Sequence, residues 1–528
     1  MATTTTQLNL YKPGDAEFGW QQMQRDNSDK IDTEAARVAA KLDPQHHANG
    51  THSNVTADSV SAPSMTLGGV QRGTWPTPGS ASVALTDVLT NGSSGNIPAA
   101  QEFAVNNSAG TIKHFAVDEA TGKVTAINLS GMLGNISDPL VHIPFRRAND
   151  EVRLSGTQTF SRASTGTYFD TLDGLLKTAA IDTPRFERMA DGGIGYLTEG
   201  ASTNLLTYSE QFDNAAWTKS GTSVSPGSFS PSPDGTSSAD ALVDGSTSGT
   251  HSIGESYSFV SGTTYTFSVF VRQGTLTETQ IVLGSAAFGS AANVIVDLTT
   301  GTATATGASA TVKIKSLINS WYRIEVTATA TATVAANVLI FLMKNGAANY
   351  VGDGLGKIHI FGAQLEALPF ATSYIPTTTA AVTRAADILT LPASGNVPMQ
   401  DFSLMLDMDL LGHNSNNWQR AVSLTGDIRW LLYEHKANNA WAASFDLVGS
   451  SNSNIAADPA AGVARIGALS SAGQGYSISN GALGNAVTVT RGTPTQIVLS
   501  EAGYPLYGHM RNFRIYDKAL TASEIAAA

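Results

Sequence analysis

Residues 362–387 read GAQLEALPFATSYIPTTTAAVTRAAD, and the character of the chain changes inside them. The first part has the apolar density of a buried strand leaving a domain. The second is a polar, threonine-rich joint in which Pro376 and the threonines disfavour helix and give enough length to step into another domain. On the N-terminal side, from residue 200 to 376, lie TYTFSVFVRQG, TQIVLGSA, ANVIVDLTTG, ATVKIKSL, WYRIEVTATA, ANVLIFLMKNG and KIHIFGAQLE. Short runs punctuated by glycine and polar turns, with no helical period between them, predict an antiparallel β-sandwich the size of one jelly roll. On the C-terminal side FSLMLDMDLLG, WLLYEHK, WAASFDLVG and TQIVLS form a second all-β set. It closes on HMRNFRIYDKALTASEIAAA, a strand followed by a short helix with Thr521 at its N-cap and Glu524 as capping-box partner.

The remaining sequence bounds what such a chain can do. At 528 residues it exceeds one ordinary core, and only 14% of those residues are charged. A net charge of -12 offers no basic stripe for phosphates, so nucleic acid is not an expected partner. Cysteine is absent, which leaves burial and self-association to hold the modules. The first residues lack a signal peptide's basic and apolar regions, and no apolar run is long enough to span a bilayer. The expectation is a chain made in the cytosol without membrane insertion.

Near the N-terminus, DAEFGWQQMQRDNSDKIDTEAARVAAKL predicts one helix with Ile31, Ala35, Val38 and Leu42 in heptad spacing. Gln24 and Ser28 interrupt the seam, which suits either a helix packed on its own domain or parallel self-association. The turn-rich stretch that follows holds His46, His47 and His52, arranged either as solvated loop histidines or as metal ligands where three chains meet. Strand-like pieces over 66–155, such as TIKHFAVDEATGKVTAINL, bury little alone and suit a thin shaft wrapped on its neighbours.

Five stretches resemble parts of known families. LNLYKPGDAEFGWQQMQRDNSDKID is similar to the start of bacteriophage tail fibre proteins, where such a segment attaches the fibre to the tail. FSRASTGTYFDTLDGLLKTAAIDTPRFE with GYLTEGASTNLLTYSEQFDNAAWTKSG resembles the opening of the carbohydrate-binding-module-like sandwich of phage tail proteins, and 362–387 resembles its close. MRNFRIYDKALTASEI is similar to the last strand and helix of a concanavalin or laminin-G-like sandwich. The resemblance implies a mostly β, modular, elongated and homotrimeric fibre. Its segments would be an attachment region with helix (1–56), a β-rich shaft (57–155), a connector (156–199), a jelly roll (200–378) and a C-terminal sandwich (379–528). It further implies assembly in the host cytoplasm, location in the virion, tail or baseplate proteins as N-terminal partners, and host polysaccharide or lipopolysaccharide at the far end.

No enzyme is expected. The sequence shows no β-helix period carrying paired carboxylates and no nucleophile elbow, and YVGDGLGK does not join a strand to a helix as a phosphate loop does. Glycan binding needs an aromatic platform with neighbouring amides and carboxylates. In the C-terminal sandwich NSNNWQR and HKANNAW set Trp418 beside Asn417 and Trp441 beside Asn439, with Tyr433 between them in sequence, and structural packing is the other reading for Trp418 and Trp441. In the first sandwich Trp217 and Tyr350 are candidates, while Trp321 and Tyr265 sit inside alternating strands and read as core. Sandwiches of the first type often carry a structural calcium, for which Asp213 and Glu366 are candidates, with turn capping as the other reading. Two rival functions are a virion component that docks other tail proteins and a polysaccharide depolymerase.

Overall fold

The computed structural model describes five short strands before residue 128 by their backbone, then residues 139–145 and, with short interruptions, 154–527. The helix expected near the N-terminus and His46, His47 and His52 lie outside the described residues. The chain divides into two compact units, Met1–Ile136 and Ser137–Ala528. In the first, Met65–Leu67 pairs with Val70–Arg72, and Ile112–Asp118 lies between Ala104–Asn106 and Lys123–Ile127.

The second unit is mostly β and antiparallel, and it contains two sandwiches. One sandwich has two six-stranded sheets. The first runs in the order Thr218–Ser220, Ser252–Phe259, Val334–Met343, Glu278–Leu283, Ala292–Asp297, Thr302–Ala305. The second runs Thr222–Phe229, Ala239–Asp244, Lys357–Glu366, Thr264–Gln273, Trp321–Thr329, Thr311–Ser316. Strands such as Glu278–Leu283 and Ala292–Asp297 alternate buried with half-buried residues, so one face of each sheet turns inward. Phe267, Val269, Ile281, Val294, Ile324, Ile340 and Leu365 meet in the core between the sheets.

The other sandwich is where sequence expectation and structure part. Its nine-stranded sheet contains Gly508–Tyr516, Phe402–Leu410, Ala464–Ser471 and Gln474–Ser479, but also Arg185–Arg188, Ile194–Thr198 and Val141–Ile143. Its seven-stranded sheet likewise takes Thr159–Ser161 as the edge beside Ile388–Pro392. Val141, Ile143, Phe145 and Tyr196 stand in the same core as Leu404, Leu424, Ile497 and Phe513. The boundary expected at 378/379 is therefore corrected, because the C-terminal sandwich draws strands from the stretches read as shaft and connector. The first sandwich is an insertion into this carrier sandwich. Its leading strand Ser202–Asn204 and trailing strand Val382–Arg384 pair directly.

The quoted stretch explains how the insertion closes. Gly362 has φ of 58°, and a Cβ there would sit 2.9 Å from the Phe270 ring, so only glycine suits the bend at this point. Asn204 then clamps the returning chain: its Nδ2 donates to the carbonyls of Ala363 and Ile375 at 3.0 and 2.8 Å, and its Oδ1 accepts from Leu365 N–H at 3.1 Å. At the far end, helix Ala522–Ala527 has the expected capping box. Thr521 N–H donates to the Glu524 carboxylate at 2.7 Å, and Glu524 N–H donates to Thr521 Oγ1 at 3.3 Å.

Candidate functional site

The side chains that mark FSRAS, TPRFE, YLTEG and TRAAD in the sequence converge on the joint between the sandwiches. Arg162, Arg185, Arg384, Glu199 and Asp387 are each 2% exposed or less. Arg185 Nη2 donates to Glu199 at 2.8 Å and to Asp387 at 2.5 Å, and Arg162 Nη1 donates to Asp387 at 3.0 Å. Arg384 lies 3.4 Å from Glu199 and 3.6 Å from Asp387. Three guanidiniums face two carboxylates, and the carbonyls of Thr167, Ala180, Ser164, Gly200 and Ala385 accept further N–H groups. Burial opposes ionisation of Glu199, but Arg384 and Arg185, helped by Ser373, hold its carboxyl down at about 2. Because no member reaches solvent, the best-marked residues of the sequence build a lock and leave ligand binding to other surfaces.

The candidates named from sequence separate accordingly. Trp217 is fully buried, with its ring 4.8 Å from Phe212 and its Nε1 donating to the Tyr208 carbonyl at 3.1 Å, so it is core and not a sugar platform. Tyr350 packs on the end of the same core, 4.4 Å from the His251 ring with its hydroxyl buried, and burial followed by Asp244 raises its pKa. Asp213 is exposed, and its backbone carbonyl accepts from Lys219 Nζ at 2.8 Å. Glu366 is fully buried, and its two oxygens are taken by Ser202 Oγ, Thr372 N–H and Oγ1, and Gln364 Nε2. Protein donors thus occupy the carboxylate that was a calcium candidate, and among the described residues no cluster of His, Asp and Glu is arranged to hold a metal. Asn417, Trp418 and Asn439 lie outside the described residues. Tyr433 and Trp441 fall in paired strands, registered opposite Ala442 and Glu434, and their side chains lie outside the description.

The inserted sandwich instead presents an open sheet face that was not singled out in the sequence. On its first sheet, Leu339 is registered opposite Val282, and Val282 opposite Asn293. In the next row Phe341 is opposite Gln280, and Gln280 opposite Ile295. All six are half-buried and alternate with inward residues such as Ile340, Ile281 and Val294. The Asn293 Oδ1 is buried without a hydrogen-bond partner. The signal was available: VLIFLM in Val334–Met343 is apolar in both phases, whereas a strand with one solvated face alternates. A phenyl ring among aliphatic side chains, bordered by two amides, is chemically suited to the apolar face and hydroxyls of a sugar ring.

Buried acids give this sandwich a distinctive pH response. Burial, opposed by N–H groups of Gly227 and Phe212 at 3.0 and 3.1 Å, pushes Asp240 from 3.8 up to about 6. Burial also raises Glu210, Glu255 and Glu366. An acid whose folded pKa is raised contributes full stability below its unfolded value, and that contribution is lost as pH rises through the folded value. Asp240 alone should therefore lower unfolding free energy by on the order of 2 kcal/mol between pH 4 and pH 7. Glu199 and Glu187, both held at about 2, work oppositely, and their contribution is lost as pH falls from about 4.3 toward 2. Urea titrations across pH should peak near pH 4–5, and Asp240→Asn should flatten the neutral side. A maximum at pH 7 in the native chain would contradict this account.

No known protein family matches the chain, and no curated protein is similar to it in sequence. Among solved structures, the CBM40 of the Ruminococcus gnavus IT-sialidase, bound to α2,3 sialyllactose, is similar at 14% identity over 25% of this chain and 86% of its own, with TM-score 0.22. Domain 4 of AbnA, a GH43 extracellular arabinanase from Geobacillus stearothermophilus in complex with arabinotriose, is similar at 16% identity over 30% and 80%, with TM-score 0.23. Domains LG4-5 of the mouse laminin α1 chain are similar at 13% identity over 53% and 88%, with TM-score 0.18. Likenesses this slight carry nothing about what the present chain binds.

Proposed function

We propose that the chain is a bacteriophage tail fibre that holds the virion to its host by binding cell-surface glycan, without catalysis. The observation that carries the binding part is the open face around Phe341, with Gln280 and Asn293 beside it and apolar neighbours on three adjacent strands. The fibre part rests on the N-terminal resemblance to tail fibre proteins. In this reading the N-terminal region attaches to tail or baseplate proteins, the inserted sandwich is a jelly roll, and three chains present three weak sites. Linked sites raise effective concentration without new contacts, so a homotrimer converts weak sugar contacts into firm adhesion.

The test is retention of the full chain on candidate host cells, with and without extracted surface polysaccharide, while assaying released reducing ends. Binding that soluble polysaccharide abolishes, with no reducing ends, is the expected result, and Phe341→Ala should weaken it at least about tenfold. New reducing ends would make the chain a depolymerase. A second reading has an observation of its own, since Leu339, Val282, Ile295 and Phe341 also form an apolar patch of the kind that docks another virion protein. Retention by purified tail particles, lost in Phe341→Ala and indifferent to sugar, would favour that reading.

A further inference from the structure

The second sheet of the inserted sandwich also has an outward face, and most of it is closed by the chain itself. Phe169 and Leu176, on the paired strands Gly166–Phe169 and Leu176–Ala179, pack there with Phe270, Trp321, Phe361 and Tyr374. Beyond that cover, His359 is registered opposite Arg272, with Lys357 two residues earlier and on the same face. The Phe229 ring lies 4.3 Å from the His359 ring, and the Arg272 guanidinium sits 4.2 Å from the Phe229 centroid. Ser225 and Ser223 continue the two rows on the neighbouring edge strand, opposite Ala241 and Val243, and both are exposed.

What these groups lack is more telling than what they touch. Arg272 Nε donates to the Asn319 carbonyl at 2.8 Å and its Nη1 to the Gln273 carbonyl at 3.4 Å, while its Nη2 donates to nothing among the described residues. Among the described residues neither Arg272 nor Lys357 forms an ion pair, in a chain with a net charge of -12. His359 is 6% exposed, and its Nδ1 is buried without a partner. A buried histidine nitrogen without a partner, on a face with two cations that meet no carboxylate among the described residues, departs from the rule that buried polar groups are paired. The turn that holds Arg272 is strained as well, with Asn319 and Ser320 both at positive φ, 56° and 59°.

We propose that Arg272, Lys357, His359 and Phe229 form a subsite for the carboxylate of an acidic sugar, a uronic acid or a nonulosonic acid, within a surface polysaccharide. The free side of the guanidinium and the Lys357 ammonium take the carboxylate, the His359 nitrogen takes a ring hydroxyl, and Phe229 borders the sugar ring. Burial, then Arg272 and Lys357, lowers the His359 pKa to about 4, so at neutral pH its imidazole is uncharged and can accept from a hydroxyl. The proposal deepens the glycan-binding reading and depends on it, while using a different face from the one around Phe341.

Calorimetry of the full chain tests it with trigalacturonate, its methyl ester and inorganic phosphate as probes. Trigalacturonate should bind at least about tenfold more tightly than the ester, the worth of one charge-assisted bidentate pair. Arg272→Lys, which keeps the charge but not the fork, and Lys357→Gln, which breaks no hydrogen bond, should each remove most of that margin. Equal binding of acid and ester, unchanged binding in both variants, or inorganic phosphate competing as well as the sugar would each overturn the subsite. Cell retention that Phe341→Ala abolishes while both cationic variants leave it intact would sink this proposal alone. Absence of retention in the native chain, with no trigalacturonate binding, would sink the glycan reading as well.

Discussion

Asp387→Ala is expected to lower the unfolding free energy by about 3–5 kcal/mol, the range for removing one partner of a buried ion network. Asp387 accepts from Arg162 at 3.0 Å, from Arg185 at 2.5 Å and from Glu199 N–H at 3.0 Å, and it is completely buried. Without it three guanidiniums share Glu199 alone, in a place water does not reach. Because Arg162 and Arg185 belong to the carrier sandwich and Asp387 follows the strand that closes the insertion, both sandwiches should be destabilised together. Urea unfolding followed by tryptophan fluorescence measures the loss. The exposed pair of Lys344 and Asp353, 3.1 Å apart, is the internal control, and Asp353→Ala should shift the urea midpoint far less than Asp387→Ala does. Equal small losses in the two variants would show that the joint is not a lock.

Which parts of this architecture were legible in the sequence follows from the range of the forces that set them. Alternation within a strand is local, so the strands of the inserted sandwich and the mostly β class could be read from runs such as TYTFSVFVRQG. The capping box at Thr521 and Glu524 is equally local. Strand pairing across hundreds of residues is not: Val141–Ile143 is three residues long, and nothing in VHI names Phe513–Ile515 as its partner. The carrier sandwich was thus cut at the visible joint while its early strands passed for shaft and connector. Trp217 failed as a ligand candidate for a related reason, since a lone aromatic in a polar stretch does not reveal whether the fold closes over it. The Phe341 face could have been found, because VLIFLM breaks the alternation that a half-solvated strand obeys. The Arg272 subsite could not, since Phe229, Arg272 and His359 come from three strands brought together only by sheet order.

The topology makes an equally large prediction about fragments. A chain of residues 379–528 contains the whole segment read from sequence as the C-terminal sandwich, yet it should show no cooperative thermal transition. It lacks Thr159–Ser161 beside Ile388–Pro392, and it lacks both Ile194–Thr198 and Val141–Ile143 beside Gly508–Tyr516. Val141, Ile143, Phe145 and Tyr196 leave its core with them, and losing even one large buried side chain costs about 2–5 kcal/mol. The bared edge of Gly508–Tyr516 would also be free to pair with other chains, so aggregation is the expected fate. Joining 137–204 directly to 382–528 should restore folding, because Asn204 and Val382 are registered partners and a few glycines can bridge them. That shortened chain keeps the ion pairs of Arg162, Arg185, Arg384, Glu199 and Asp387, and loses Ser373, whose N–H and hydroxyl donate to Glu199. Differential scanning calorimetry decides the matter. A sharp transition from 379–528 alone would mean that the early strands decorate the carrier sandwich; a transition only in the joined chain would mean that they complete it.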